Sequence, residues 1–522
     1  MPHARPLAVL AAALSLVLLA GCTPRVVKVA DELTIGTTGA LTILDPAATS
    51  DDASVAILSQ VYPRLVGVRP GGTKIVPDLA VSAEFTSPTE YTVTLPSGLA
   101  FANGHELTAS DVKFSIDRQL AIAEPEGPSL YLYNLVDVAA DDLTVTFMLA
   151  TANDVLFPRI LASAAGSIVD EEVFAADAIT PDADIIAGNA FGGPYAVTAF
   201  AYQSATTLAA VPGYTGLGGV AKTSTITVDW FASDAELKTA LDAGEIDLTL
   251  GTIDPAAFTS AQLVTGFGRD AEALVFNLAT QPYGTATSDA DLAKAKAVRE
   301  AVSLLADREA LAQLSGGASI PLLSFVPVGL EGSFDNLPPV PDADTAAYVL
   351  EKAGVEVPVP IELNAVTDEY GTLSPELYAA LAAQLTDSGL FEATSVAAPW
   401  TEFSGRRLDD TYAAYQFRWR PEVPATDLYL TEVFGSAMLL GNHYANADVE
   451  SAVLSVAAEP DEDARLRLIA QVQDALTADL PVLPLLQTAQ VVATNGAIDG
   501  IELDSTQILR FAALSTPAPT EK

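Results

Sequence analysis

From residue 31 onward, strand-like segments alternate with helix-like segments, without an internal repeat or a long low-complexity tract. This alternation is typical of α/β domains, in which helices cover a sheet. Residues 33–36 and the alternating residues 91–95 are predicted strands, and a helix that runs into a loop is predicted from Ser54. A chain of 522 residues is long enough for about two to four such domains.

Capping signals indicate where several helices begin and end. Thr108 is followed three residues later by Asp111, and Ser233 by Glu236, which is typical of a helix N-terminal capping box. Gly244 predicts the end of the second of these helices, because glycine readily adopts the left-handed conformation found there. Further predicted helices cover about 291–314, 344–353, 374–389 and 461–478, and further predicted strands cover 246–248, 274–278, 490–494 and 500–503.

The beginning of the chain carries the features of an export signal. Arg5 is followed by the unbroken apolar run 7–20 (LAVLAAALSLVLLA), which is shorter than the ~20 residues of a permanent membrane span. The run ends at residues 19–22 (LAGC), which resemble a bacterial lipobox. The sequence therefore predicts a signal peptide over 1–21 and lipidation of Cys22. The exported chain would then be anchored to the outer face of the bacterial cytoplasmic membrane.

Composition excludes several classes of protein. The 67 acidic and 25 basic side chains give a formal net charge of −42, which repels nucleic-acid phosphates. Such acidity is typical of a solvated surface; attraction of cationic solutes to a cleft is the alternative interpretation. Cys22 is the only cysteine, which excludes an intramolecular disulfide and cysteine-rich metal sites. We predict no cofactor.

Catalytic and metal-binding motifs are incomplete. His105-Glu106 begins like the zinc-protease helix, but alanine occupies position 109, where that motif needs a second histidine. Residues 110–113 fit a Ser-x-x-Lys pattern that is expected by chance in a long chain, and Ser110 suits the first turn of a helix. His105 and His443 lie near no other candidate ligand in sequence, so we predict no transition-metal site. We predict that the protein is not an enzyme, although paired carboxylates leave a secreted hydrolase as an alternative.

Several collinear segments, considered together, point to one protein family. The most specific is residues 95–114 (LPSGLAFANGHELTASDVKF). The others, in chain order, are residues 61–66 (VYPRLV), 75–80 (IVPDLA), 192–195 (GGPY), 243–247 (AGEID), 275–277 (VFN), 298–302 (VREAV), 307–311 (DREAL) and 478–485 (ADLPVLPL). They resemble segments of the family 5 extracellular solute-binding proteins, which serve peptide, opine and nickel ABC importers.

The resemblance implies a periplasmic-binding-protein-like fold of two α/β lobes around a ligand cleft, with an extra subdomain in the first lobe. Carried onto this chain, it implies a membrane tether over 22–30, lobe one with its subdomain over 31–271, lobe two over 272–485, a return to lobe one over 486–514, and a flexible tail over 515–522. Lobes that close on a solute would present it to an ABC permease and its ATPase subunits. A single closing cleft needs no symmetry mate, so we expect a monomer.

The resemblance also implies a ligand site. In peptide-binding members, an aspartate three residues after a tryptophan binds the amine of the ligand, and the corresponding residues here are Glu422 and Trp419. Glu422 would pair with an ammonium, and Trp419 would pack on the ligand. A glutamate is one methylene longer, and Ala425-Thr426 replaces the family's later Asp-Pro. A loop carboxylate without a ligand is therefore the alternative interpretation of Glu422.

Arginines are concentrated in the same region of a chain that has few cations. One of them would bind a ligand carboxylate through two hydrogen bonds, while ion pairing at the surface is the alternative. The candidates are Arg406, Arg407, Arg418 and Arg420. The implied function is capture of a short peptide for an ABC importer; an oligosaccharide, an opine or a chelated metal is the alternative solute on the same scaffold.

Overall fold

The computed structural model describes residues 31–517, except Ser50, Thr252, Thr372, Ser436, Ala497 and Ser505. The predicted signal peptide, the lipidation site Cys22 and the tether lie outside the described residues, as do the last five residues of the predicted tail. In the described part of the chain, no helix combines the length and the apolar character needed to cross a bilayer.

The strands and helices alternate along the described chain. The strands are β1 Glu32–Thr37, β2 Val66–Val68, β3 Ile75–Pro77, β4 Ser82–Ser87, β5 Glu90–Thr94, β6 Leu135–Asp141, β7 Thr144–Leu149, β8 Tyr195–Ala201, β9 Ala205–Ala210, β10 Thr225–Trp230, β11 Leu248–Leu250, β12 Gln262–Phe276, β13 Ser319–Pro321, β14 Val359–Val366, β15 Phe391–Ala398, β16 Ala414–Trp419 and β17 Val482–Thr494. The helices are α1 Asp52–Leu58, α2 Ala109–Ile122, α3 Phe157–Leu161, α4 Asp182–Gly188, α5 Asp234–Ala243, α6 Leu292–Leu305, α7 Arg308–Gln313, α8 Ala343–Ala353, α9 Ser374–Asp387, α10 Trp400–Arg406, α11 Thr426–Phe434, α12 Ala437–Leu440, α13 Ala447–Ala458 and α14 Glu462–Asp479. Short 3-10 helices cover Pro46–Ala48, Pro128–Leu132, Ala164–Gly166, Pro255–Ala257 and Phe511–Ala513.

Two long strands hold the main sheet together. Among the described residues this sheet has eleven strands, in the order β15-β14-β16-β12-β17-β11-β1-β10-β9-β8, with β13 paired to β17 beside this path. β12 and β17 pair antiparallel along most of their length, and the register shifts between Phe267 and Ala271 and again after Glu272. The predicted lobe boundaries at 271/272 and 485/486 fall within these strands, and the division into lobes stays a prediction.

Buried apolar side chains of the described residues form three large cores. Core one combines residues 33–62 and 169–250 with residues 492–514, so the chain returns to its first core near its end. Core two draws on residues 273–486. Core three lies under the four-stranded sheet β4-β5-β7-β6 and draws on residues 65–168, with Val423, Ala425 and Leu428 added from a distant segment. The apolar side of α5 packs instead in a smaller cluster, in which Leu237, Ala240 and Leu241 lie with Val491 and Ala493 of β17.

Local capping signals are confirmed. Thr108 and Asp111 form a reciprocal capping box at the start of α2, and the Ser233 hydroxyl accepts a hydrogen bond from the Glu236 backbone N–H. Gly244 ends α5 in the left-handed conformation, with φ of 70°. These interactions need only residues that are close in sequence, which is why the pattern alone locates them.

Two predicted elements are wrong. The long helix predicted over 291–314 is interrupted after α6, because Ala306 is extended and the Asp307 carboxylate accepts a hydrogen bond from Ala310 N–H to start α7. Residues 500–503 form no strand; Ile501 and Leu503 instead pack on core one. Their apolar alternation therefore reflects packing without strand pairing.

Candidate functional site

A cavity of about 700 Å³ lies where core one and core two meet. Its lining comes from α1, from the loop after β11, from β12, β16 and β17, and from the start of α9. The volume lies in the range that accommodates a small organic ligand.

Charged side chains from separate elements meet in this main cavity. Asp52 on α1 forms ion pairs with Arg269 on β12 and with Arg420, which follows β16. The Asp270 carboxylate lies 2.7 Å from Nη2 of Arg418 and 3.2 Å from Nε of Arg420. In a chain with a net charge of −42, three guanidinium groups, on Arg269, Arg418 and Arg420, lie at one place. A guanidinium is chemically able to bind a carboxylate through two hydrogen bonds.

Glu272 is held at the wall of the main cavity by neutral donors. Its Oε1 accepts hydrogen bonds from Gln416 Nε2 at 2.8 Å and from the Tyr378 hydroxyl at 3.1 Å. Burial raises the pKa of Glu272 from its ordinary 4.5 to about 7, and Arg418 opposes this only in part. Near neutral pH the side chain therefore exchanges between the acid and the carboxylate.

We expect Glu272 to make the ligand-free protein less stable as pH rises. The folded state keeps a proton on Glu272 that the unfolded chain releases above pH 4.5, so the contribution of this group is favourable below that pH and is lost as pH rises through 7. Relative to wild type, Glu272→Gln should gain about 2 kcal/mol between pH 5 and pH 8 in denaturant unfolding. The control Glu376→Gln, an exposed residue of α9, should follow wild type. A wild-type protein whose stability relative to Glu272→Gln is independent of pH would contradict the expectation.

Glu422 lies at a side cavity of about 190 Å³. Val55, Arg269, Thr506 and Ile508 line both this cavity and the main one, so the two are adjacent. The Glu422 side chain is 38% exposed, and its Oε2 lies 3.8 Å from Arg269 Nη1. The Arg269 guanidinium also donates a 2.8 Å hydrogen bond to the Glu422 backbone carbonyl, which fixes the position of this loop.

The structure brings together three of the predicted site residues. Arg418 and Arg420 line the main cavity, and Glu422 lines the side cavity next to it. The other three lie outside both linings. The Trp419 indole donates to the Leu428 carbonyl at 3.0 Å and stacks on Phe417. Arg406 pairs with Glu402 on α10, and Arg407 donates to the Leu439 carbonyl at 2.9 Å. Contact of Glu422, Arg418 or Arg420 with a ligand stays a prediction.

Four charged residues of the site were not predicted from the sequence. Asp52, Arg269, Asp270 and Glu272 reach the site through tertiary structure, with Asp52 and Arg269 separated by 217 positions. One signal was available for three of them. Residues 269–272 (RDAE) directly precede the fully apolar residues 273–276 of the same strand, and a charged start of a buried strand is unusual without a partner or a ligand.

His105 has carboxylate partners that its sequence neighbourhood did not reveal. Its Nδ1 lies 2.8 Å from Asp170 and 2.7 Å from Glu172, and the three groups bring their potential ligand atoms within 4.8 Å of one another. Both carboxylates approach the same ring nitrogen, and Asp170 also accepts a 2.7 Å hydrogen bond from Asn103. The arrangement is that of a hydrogen-bonded cluster of His105, Asn103 and two carboxylates.

Sequence comparison identifies relatives. The family model described as "Bacterial extracellular solute-binding proteins, family 5 Middle" matches residues 74–438, which is more than half of the chain. The probable D,D-dipeptide-binding periplasmic protein DdpA of Escherichia coli K12 is 30% identical over 225 residues. That match covers 42% of this chain and 43% of DdpA, so it spans less than half of the relative's length.

Structure comparison shows the fold. The unliganded open form of the periplasmic murein tripeptide-binding protein MppA superposes with a TM-score of 0.79, at 16% identity, over 93% of this chain and 97% of that one. A nickel ABC transporter protein from Bacillus halodurans gives a TM-score of 0.77, at 18% identity, over 93% and 100%. These likenesses confirm the predicted α/β, periplasmic-binding-protein-like fold. By the extent of the family match, the chain belongs to the family 5 bacterial extracellular solute-binding proteins.

Proposed function

We propose that this protein captures short peptides outside the cytoplasm and delivers them to the permease and ATPase subunits of an ABC importer. Membership of the family makes it a solute-binding protein, and its relatives are solute-binding proteins rather than enzymes. One observation carries the choice of a peptide: guanidinium and carboxylate groups lie side by side in the main cavity and the side cavity. A short peptide is a zwitterion, so it presents one partner for each kind of group.

The arginines of the main cavity suit the peptide carboxylate. Arg420 is partly exposed and divides its hydrogen bonds between Asp52 and Asp270. A ligand carboxylate would compete with Asp52 for this guanidinium and form a charge-assisted bond in its place. Because Asp52 belongs to α1 and Arg420 follows β16, this exchange would link ligand binding to the contact between core one and core two.

Glu422 suits the peptide amine. Its only ion-pair partner among the described residues is Arg269, at a longer distance than a direct hydrogen bond, so the carboxylate is available to a second cation. The names of two relatives support the class of solute, since DdpA is described as a D,D-dipeptide-binding protein and MppA as a murein tripeptide-binding protein.

We expect Glu422→Gln to weaken the binding of a short peptide by on the order of tenfold to a hundredfold, because it removes a charge-assisted bond to the amine. The measurement is the affinity for trialanine and for N-acetyl-trialanine by calorimetry. Wild type should prefer the free amine, and Glu422→Gln should not. Glu402→Gln, an exposed glutamate of α10, is the matched control and should keep the preference. Equal affinity of wild type for both peptides would show that Glu422 does not bind the peptide amine.

Native mass spectrometry of freshly purified protein tests the class of solute without choosing a peptide in advance. A retained mass that fragments into amino acids supports the proposal. A retained oligosaccharide, opine or metal chelate would instead assign the same cavity to another solute.

The proposal extends to where the protein is held. Cys22, at the end of the lipobox-like segment, would carry the lipid, and β1 begins only ten positions later, at Glu32. A tether this short would hold the binding lobes close to the membrane, where a permease is located. We also propose that the two lobes divide at 271/272 and 485/486, and that the protein is a monomer.

A further inference from the structure

The charges of the main and side cavities do not balance. Near the contact between the two cavities, three guanidinium groups, on Arg269, Arg418 and Arg420, lie with four carboxylates, on Asp52, Asp270, Glu272 and Glu422. Arg159 and Glu126 also line the side cavity. Asp52, Asp270 and Glu422 each have an arginine within 4 Å. The remaining acids of the main cavity lie at helix N-termini, where Asp51 and Asp254 are N-caps and Asp234 is in the first turn of α5.

Of these four carboxylates, Glu272 is the one that forms no ion pair within the described part of the chain, and Arg418 acts on it only from a longer distance. Arg418, its register partner on β16, is engaged by Asp270 and by the Tyr370 carbonyl, at 2.7 Å each. Gln416 donates to Oε1 at 2.8 Å, and the Tyr378 hydroxyl lies 3.1 Å from the same oxygen while it shares its one proton with the Ala273 carbonyl at 2.7 Å. Among the described residues, Oε2 accepts no hydrogen bond and forms no ion pair, while the side chain lines the cavity.

The neighbouring elements supply no other charge to Glu272. The facing residue of β17 is Leu486, and α9 contributes Tyr378 and Ser374. The titratable and charged groups around the carboxylate are Arg418, Asp270, Tyr370 and Tyr378. An enclosed carboxylate that is oriented by two donors and still lacks a counter-ion is an arrangement for a cation from outside the chain.

We propose that Glu272 is a subsite for a second cationic group of the ligand, the ammonium or guanidinium of a basic peptide side chain. The inference rests on the peptide function proposed above, and it adds a specificity: peptides with lysine or arginine are preferred. The α-amine at Glu422 and the side-chain cation at Glu272 then occupy different cavities. Oε2 of Glu272 accepts the hydrogen bond from the ligand, while Oε1 keeps its two donors.

The test compares lysine with norleucine, which has the same carbon chain without the ammonium. The probes are three Ala-containing tripeptides with lysine at the first, second or third position, each paired with its norleucine counterpart. Calorimetry at pH 7 should give wild type a preference for lysine of on the order of tenfold or more at one position. In Glu272→Gln, the ratio of the lysine-peptide affinity to the norleucine-peptide affinity at that position should fall close to one. The control Glu376→Gln should keep the wild-type ratio.

A second measurement requires no variant. The pKa of Glu272 is about 7, so binding of a cation should release about half a proton per peptide at pH 7. Calorimetric titrations in two buffers of different ionisation enthalpy give the number of protons released per peptide. The value for the norleucine peptide, subtracted from that for the lysine peptide, removes the contribution of the α-amine. The lysine peptide should release more protons than its counterpart.

The outcomes separate the two proposals. If the tripeptides bind and lysine and norleucine bind equally at every position, the Glu272 subsite is wrong and peptide capture stands. If Glu272→Gln retains the preference for lysine, the cation binds elsewhere and the inference is again wrong. If no tripeptide binds at millimolar concentration, peptide capture fails, and the inference fails with it.

Discussion

Arg118→Ala should destabilise the protein by about 3 to 5 kcal/mol, because it leaves a buried carboxylate without its counter-ion. The side chains of Arg118 and Asp45 are only 1% and 0% exposed. Nη1 of Arg118 lies 2.9 Å from Oδ1 of Asp45, and Nη2 binds the other carboxylate oxygen, so the pair is bidentate. Because this ion pair is shielded from water, removing only one of its two partners leaves an unpaired buried charge and lowers the unfolding free energy strongly.

The same pair connects three segments of chain. Arg118, on α2, also donates to the carbonyls of Ala175 and Ala178, and its guanidinium lies 5.2 Å from the centre of the Phe174 ring. Asp45 accepts the Thr180 backbone N–H at 2.7 Å. Removing the guanidinium therefore also leaves backbone carbonyls without their donors, which adds to the destabilisation.

The control for Arg118→Ala is Lys113→Ala on the same helix. Lys113 forms an exposed i,i+4 pair with Asp117, and such pairs contribute about 0.3 to 0.5 kcal/mol. Both variants remove one positive charge from α2. The difference between their unfolding free energies therefore reports the effect of burying the ion pair. Denaturant unfolding followed by circular dichroism measures both. An Arg118→Ala variant within about 1 kcal/mol of Lys113→Ala would show that the buried pair is not a major source of stability.

Sequence predicted the parts of the fold that depend on neighbouring residues. The capping box at Thr108 and the N-cap at Ser233 were located correctly because donor and acceptor lie within one helical turn, although Glu236 accepts its hydrogen bond from Ala232 N–H and does not complete a box with Ser233. The break at Ala306 was missed because the apolar periodicity of α6 and α7 is continuous, and Asp307 was not recognised as a cap. Where apolar periodicity and a capping residue disagree, the cap decides the boundary here.

The residues of the candidate site could be predicted together only where they follow one another in the sequence. Arg418, Arg420 and Glu422 lie on one continuous segment and were found together. Asp52 could not be associated with them, because its partners Arg269 and Arg420 are brought to it by the pairing of β12, β16 and β17. Trp419 was expected at the ligand, but strand alternation turns it away from Arg418 and Arg420 and against Phe417.

Arg465→Ala should also cost about 3 to 4 kcal/mol, and it should weaken peptide binding as well. Arg465, on α14, binds Glu331 and Asp427, whose near carboxylate oxygen lies 2.5 Å away. The side chains of Arg465 and Asp427 are only 7% and 3% exposed. Arg159 of α3 approaches Glu331 at 3.6 Å, so this ion network joins core three to core two.

The link to binding follows from what the network holds in place. Asp427 lies in the first turn of α11, directly after the segment that carries Glu422. Val423 and Ala425 of that segment and Leu428 of α11 pack in core three. Without Arg465, the buried Asp427 keeps Arg159 as its nearest cation, and burial already raises its pKa. The least costly relaxation exposes Asp427 to water, which withdraws these apolar side chains and displaces Glu422.

Arg467→Ala is the matched control, since Arg467 is exposed on the same helix two positions away. Its unfolding free energy and its affinity for trialanine should both stay close to wild type. Arg465→Ala should lower the unfolding free energy and should reduce the preference for trialanine over N-acetyl-trialanine, because Glu422 is no longer held at the side cavity. A destabilised Arg465→Ala protein that still prefers the free amine would show that Glu422 is positioned by Arg269 alone, through its hydrogen bond to the Glu422 carbonyl.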